Sequence, residues 1–464
     1  MSLALDSAPL YRPPAPVPSA GPLSFARMIH AMATNPITVW TKIHFEQLIV
    51  VGPTPLGLRA VISDPAAIKR VFLDNAANYV KDALQLRLLA PGLGHGLLTV
   101  DGEDWRRQRR ALAPIFAPRQ IAGFAKPMRE VAAKFVAEDI VPQLGQPFQM
   151  GEAMARLTLL VLERTLFSQG LARDPGQFQK AMTHYFDTFG RLSVLDLLGA
   201  PRFLPRIGRL RGRSSLKFFS DAVADIIAAR RKLLASGGLA PHDLLTSLMT
   251  AADPETGDPI SADDVASNII TFIGAGHETT ANALTWTLIL LDQAPEWRAK
   301  VEAEIDANFN PDASDDPTPL LPITLACLNE ALRLYPPAAF MSREALADDE
   351  LCGRRIPKGT VVIAAPYVIH RHKRLWRDPD SFDPSRFLAP ERDTIDRFQY
   401  IPFGAGARIC IGMGFAQQEA MIVLANLLKG RRFTLAPGAD IFPVQRITLR
   451  PGRGSPMIGN PRNP

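Results

Sequence analysis

The stretch Phe403-Gly404-Ala405-Gly406-Ala407-Arg408-Ile409-Cys410-Ile411-Gly412 decides how the rest of the chain is read. Two glycines let a loop bring its backbone close to a flat, bulky partner. Cys410 stands just before a helical run, where the dipole and free N–H groups of a helix N-terminus favour a thiolate. Phe403 and Ile409 offer apolar cover against water, and Arg408 is placed to pair with a carboxylate. Taken alone, the stretch is either a ligand loop or a glycine-rich turn around a structural cysteine. A dinucleotide-binding fingerprint fits poorly, because Pro402 and an irregular segment precede the glycines where a strand is required.

Working outward, residues 261–293 (SADDVASNIITFIGAGHETTANALTWTLILLDQ) form the next informative segment. Ser261 followed by Asp264 is a capping-box pattern that opens a helix. The run is apolar on most sides, which a soluble protein tolerates only in a helix crossing its core. A bilayer span would bury Glu278 in hydrocarbon, at about 2.5–3.5 kcal/mol for a central acid. Ala275 and Gly276 leave a gap in mid-helix, and a threonine there can bond back to the carbonyl one turn earlier. The competing reading is a polar kink satisfied internally.

Two further patterns join these. Glu330-Ala331-Leu332-Arg333 puts an acid and a base on one helical face, and Trp105 and Arg109 lie four apart in WRRQR. The pattern Phe-Gly-x-Gly-x-Arg-x-Cys-x-Gly matches the haem-binding signature of the cytochrome P-450 family at every defined position. Ala275-Gly276-His277-Glu278-Thr279-Thr280 resembles that family's oxygen-binding motif, and Glu330-x-x-Arg333 its buried ion pair, with Arg386 as third member. The resemblance runs from residue 48 to 450, and it is to soluble bacterial members.

The resemblance implies a mainly α fold with a smaller β portion, holding haem b between the long central helix and the cysteine loop. Cys410 would be the metal ligand, its thiolate favouring O–O cleavage. Trp105, Arg109, Arg343, Phe403, Arg408, Gly412 and Ala275 would surround the cofactor. Thr279 would stabilise the iron-bound peroxide and Glu278 would relay to it the protons that decide whether oxygen is used productively. Leu98, Ala275, Gly276, Ala338, Ala339 and Phe340 would line an apolar substrate pocket. His277 is read as a structural neighbour of the relay, and His95 as a secondary candidate facing the cofactor.

Composition agrees with a soluble globular chain: of 464 residues, 47% are hydrophobic and 21% charged. The net charge of +6 is a modest excess over this length, and no basic run with interleaved aromatics suggests nucleic acid. Three scattered cysteines are neither a disulfide framework nor a zinc spacing, so a reducing cytoplasmic compartment is expected. No secretory leader or membrane span is expected at the N-terminus, where prolines between 9 and 22 favour an extended arm. Residues 1–40 are read as that arm and 41–464 as one domain. It is helix-rich over 65–335 and 412–429 and β-rich near 48–64, 338–366 and 432–450, with 48–64 a hairpin.

His-Glu-Thr-Thr and Arg-x-Cys resemble bacterial fatty-acid hydroxylases fused to a reductase, from which this chain is expected to differ in having no flavin domain. Electrons are therefore expected from a separate ferredoxin or flavodoxin with its reductase. Arg106, Arg107, Arg110, Arg371, Lys373 and Arg374 form a candidate basic dock for it, with a merely solvated basic surface as the alternative. The reaction implied is insertion of one atom of O2 into a lipophilic small molecule such as a fatty acid or terpenoid. Rival readings are a peroxide-using or oxygen-independent enzyme of the same fold, and a haem-based sensor or electron carrier. Substrate identity, redox partner, oligomeric state and the role of the basic loop 202–213 stay open.

Overall fold

The computed structural model describes residues 10–54, 57–168, 212–237 and 239–462, with 177, 181, 184 and 194–197. Most of the basic loop 202–213 lies outside these residues. Residues 10–24 run mainly without regular structure, and helix α1 (Phe25–Thr34) follows, with Ser24 accepting from the Arg27 amide. The extended reading of 1–40 therefore does not hold at 25–34: a serine cap and the lack of proline between Pro22 and Pro36 allow a helix there. The arm is pinned to the body, since Tyr335 donates its hydroxyl to the Pro14 carbonyl at 2.7 Å and Phe382 its amide to Tyr11 at 2.9 Å.

Strands β1 (Ile49–Thr54) and β2 (Gly57–Ile62) form the expected hairpin, pairing Ile49 with Ile62. Strand β3 (Tyr79–Val80) leads into helices α2 (Ala83–Leu93) and α3 (Gly102–Leu112). Helices α4 (Met150–Leu166), α5 (Arg213–Ala235), α6 (Ala262–Gln293) and α7 (Pro322–Leu334) build the helical body. Strands β4 (Met341–Ala345) and β5 (Val361–Ala364) return to the first sheet, whose order is β1-β2-β5-β4-β3. Helix α8 (Met413–Leu428) follows the cysteine loop. Of the terminal segments, 431–435 pairs with 456–461, and 449–451 with 443–445.

Helix α6 is the axis of the fold. Ser261 accepts from the Asp264 amide at 3.1 Å, and Asp263 and Asp264 sit in the first turn where the helix dipole favours acids. From Thr280 to Leu291 every residue is buried, against α4, α7 and α8 among others. Trp286 stacks on Tyr335 with ring centroids 3.7 Å apart. An α-helix apolar all round must be surrounded, and this one is. Among the described residues no helix is long and apolar enough to cross a membrane.

Candidate haem-thiolate site

The loop 403–412 is shaped by close approach. Gly404 and Gly406 have φ of +80° and +66°, and a Cβ on Gly406 would collide with the Phe72 carbonyl. The Cys410 amide donates to the Phe403 carbonyl at 2.8 Å, closing the loop and aiming the side chain inward. Cys410 is exposed as a residue, yet its thiol is enclosed by protein. Both descriptions hold, because it faces an interior space and not the outer surface. Burial pushes the Cys410 thiol up from its ordinary value, while the Gly412 amide and Arg109 pull it down. The helix-end effect expected from the sequence therefore acts in the right direction, but burial outweighs it in the protein alone.

In mid-helix α6 the burial pattern breaks. Ala275 is exposed and Thr279, one turn on, is half-buried, although residues on either side of this face are packed. The Thr279 hydroxyl donates to the Ala275 carbonyl at 2.6 Å, the back-bond that loosens a helix. His277 points the other way into the core, and burial lowers its pKa to about 4, so it is neutral. That agrees with its structural reading. Glu278 is buried at the side of the helix, 3.5 Å from Arg450 on the strand Leu449–Pro451.

Cations gather beside the loop. Arg408 lies over the Trp105 ring at 4.2 Å, pairs with Asp101 and donates to the Val100 carbonyl at 3.2 Å. Arg343 is buried and donates to the Ser342 carbonyl; burial, then the charge of Arg408, lowers its pKa to about 10. Neither Arg343 nor Arg109 has a carboxylate within ion-pair distance among the described residues. Buried guanidinium groups need an anion, and haem carries two carboxylates, so the donor set fits this cofactor. Lys81 completes the cluster: it bonds Val100 and stands 3.4 Å from Asp101, and burial lowers its pKa to about 7.

Lys81 and Arg450 were not singled out from the sequence. Each is a lone cation in a short strand context, and only tertiary packing gives it neighbours. His95 is exposed, with its backbone tied to α3 and α6 and no contact from its ring to the cation cluster.

The pocket candidates divide. Leu98, Ala275 and Ala338 are exposed and Phe340 is half-buried. Ala339 is 1% exposed, with its carbonyl accepting from Tyr367, so it lines nothing. A Cβ on Gly276 would point at Leu162 of α4, 3.3 Å away. Gly276 therefore serves the close packing of α6 on α4, and its backbone stays half-exposed next to Ala275.

The basic dock is largely neutralised. Arg106 pairs with Glu103 at 2.9 Å, Arg107 with Asp264 at 2.8 Å, Arg110 with Asp253 at 2.6 Å and Lys373 with Glu46 at 2.7 Å. Arg371 is buried over the Tyr367 ring.

The scaffold pair is as buried as the resemblance implied. Arg333 uses all five of its donors, two on Glu330 and three on the carbonyls of His370, Pro379 and Ser381. Arg386 lies 3.5 Å from Glu330, and His370 accepts from the Ile401 amide at 2.9 Å, just ahead of the cysteine loop.

Comparison with known proteins decides the family. The cytochrome P450 family model matches residues 48–454. The chain belongs to the cytochrome P450 family. It is 34% identical to a cyclooctatin synthase of Streptomyces melanosporofaciens over 89% of this chain and 87% of that protein. It is 33% identical to a pentalenene oxygenase of Streptomyces avermitilis over 86% of this chain and 87% of that one. A cytokinin hydroxylase of Arabidopsis thaliana is 31% identical over 91% and 82%. This P450 is thus a haem monooxygenase with the mainly α fold of its family.

Proposed function

We propose that this P450 hydroxylates a lipophilic hydrocarbon of the terpenoid type, using haem b and electrons from a separate ferredoxin or flavodoxin with its reductase, in the bacterial cytoplasm. The observation that carries the reading is the opening at Ala275 and Thr279 in an otherwise packed helix, with Leu98 and Ala338 as further apolar lining. The relatives named for pentalenene and cyclooctatin favour a terpenoid over a fatty acid. Residues 41–464 act as one catalytic unit, with 1–40 as its arm.

Haem, when bound, supplies the iron at which O2 is activated. Cys410 gives the thiolate ligand, with the Gly412 amide directed at its sulfur. Arg109, Arg343, Arg408 and Lys81, with Trp105, hold the propionates, and Phe403 packs beside the loop as apolar cover. The Thr279 hydroxyl gives its proton to the Ala275 carbonyl, which leaves its oxygen beside the pocket as an acceptor that positions a proton donor there. Glu278 takes up and releases the proton behind it, and Arg450 orients that carboxylate. The apolar lining excludes bulk water and seats the substrate by shape. Among the described residues, exposed Arg374 is the part of the expected dock that forms no ion pair, so docking of the electron donor would rest on shape more than on charge.

Turnover with a surrogate ferredoxin and reductase, under 18O2, across a panel of terpene hydrocarbons and fatty acids tests the proposal. A hydroxylated terpene carrying one labelled oxygen is expected. Labelled fatty-acid products alone would overturn the substrate class. No oxygen-dependent product across the panel would favour a sensor.

A further inference from the structure

The loop Gly94–Thr99, which carries Leu98, is held to the central helix by side chains. Ser267 of α6 accepts the His95 amide at 3.2 Å, and the Asn268 side-chain oxygen accepts the Leu97 amide at 3.0 Å. From α3, Gln108 donates to the His95 carbonyl at 3.0 Å and to Asp264 Oδ1 at 2.9 Å. Asn268 in turn donates to Gln108 Oε1 at 2.9 Å and to the Asp264 carbonyl at 2.8 Å. Arg107 closes the circuit on Asp264 Oδ2 at 2.8 Å.

Every donor and acceptor of the two amide side chains is accounted for. Asn268 is 0% and Gln108 1% exposed, so water cannot substitute for a lost partner. The acceptors Asp264 Oδ1 and the Asp264 carbonyl fix which end of each amide carries nitrogen, and so fix both side chains in one orientation. The loop also folds on itself, with Thr99 donating its hydroxyl to the Gly94 carbonyl at 2.6 Å. At Gly96 there is no room to spare, because a Cβ would collide with Thr271. A buried polar network satisfied in this way holds one conformation, and breaking one member leaves the others unpaired.

We infer that Gln108 and Asn268 form a latch that sets substrate size selectivity, by fixing the loop that carries Leu98 against the central helix two turns before Ala275. They are positioning residues: neither reaches the pocket itself, and both act through Leu98. The inference rests on the haem-monooxygenase reading for the identity of the pocket, and on the hydrogen bonds alone for the latch. An enzyme so latched presents a preset edge to its substrate instead of closing a mobile loop around it.

The test uses the haem-loaded full chain and the variants Asn268→Ala and Ser267→Ala, the second removing a single bond at a half-buried position. Amide hydrogen exchange at 95–97 is measured first. It should accelerate about 10-fold or more in Asn268→Ala, and less in Ser267→Ala, as local opening becomes easier. Spectral titrations with imidazole and with clotrimazole then read pocket size. The ratio of the two affinities should move about 5-fold or more toward the bulky azole in Asn268→Ala, and in the same direction for Ser267→Ala, with the reduced carbon monoxide spectrum unchanged. Unaltered exchange would overturn the latch. Faster exchange with an unaltered affinity ratio would overturn its role in selectivity. If Asn268→Ala does not fold, Ser267→Ala decides both. A wild-type chain without a thiolate carbon monoxide spectrum would sink the haem reading, and the exchange arm would still decide the latch.

Discussion

Arg450 Nη1 stands 3.5 Å from Glu278 Oε1, which joins the last strands of the chain to the middle of the central helix across 172 residues of sequence. In the proposed proton relay, that cation holds the buried Glu278 carboxylate in place. Glu278→Gln keeps the shape and removes the ionisable carboxyl, so oxygen-dependent turnover should fall roughly 100-fold with substrate affinity nearly unchanged. Arg450→Gln should lower product formed per electron in the same direction but less. Thr279→Ala should consume reductant and release hydrogen peroxide, and added peroxide should narrow its deficit. Coupling as tight as wild type in Thr279→Ala would count heavily against the relay.

Cys410→Ser should lose the red-shifted carbon monoxide band of the reduced protein, because a hydroxyl cannot match thiolate donation. Cys327→Ser and Cys352→Ser should keep it, since Cys327 is buried in α7 and Cys352 lies exposed in a turn. A band that survives only in Cys410→Ser would mean the wrong ligand had been assigned.

In the proposed propionate set, Lys81 and Arg343 would each contribute a charge-assisted bond. Lys81→Met and Arg343→Met should each raise the rate of haem transfer to apomyoglobin by roughly 10–100-fold, as expected for losing one such bond. Equal transfer rates would place both cations outside the propionate set.

The Glu330–Arg333 pair is wholly buried, and Arg333 satisfies three carbonyls of the segment leading to the cysteine loop. Glu330→Ala leaves that guanidinium uncompensated, at about 3–5 kcal/mol, a large share of a typical stability. Low yields of folded, haem-loaded protein are expected, and Arg386→Ala should be milder because its ion pair is longer, at 3.5 Å. Normal expression of both would show that the pair is dispensable.

His370 is buried beside Arg333, and burial first, then that charge, lowers its pKa from 6.5 to about 3. Between these values the unfolded chain binds a proton that the native protein refuses, so stability is lost as pH falls through the window. His277 adds the same sign, from 6.5 down to about 4. Each histidine should contribute a slope of up to about 1.4 kcal/mol per pH unit. Urea unfolding at pH 7 and pH 5 checks this, and His370→Gln should flatten the slope by one histidine's share. An unchanged slope in that variant would mean His370 is protonated in the native state.

The contiguous features were legible in the sequence. The ten residues around Cys410, the capped helix from Ser261 and the Glu330–Arg333 spacing are local patterns, and local backbone geometry is dictated by neighbours in the chain. Composition and periodicity gave the mainly α character and the 49–62 hairpin for the same reason. Residues 25–34 were misread because prolines before them suggested an extended arm, while the serine cap that starts the helix is a weak signal. What tertiary structure decided is which distant groups meet. Asp101 reaches Arg408 across 307 residues, Gln108 reaches Asn268 across 160, and Gly276 lets Leu162 pack close. A lone lysine, glutamine or arginine carries no local mark of burial. Its role follows from desolvation and partner geometry, and those exist only once the helices have packed.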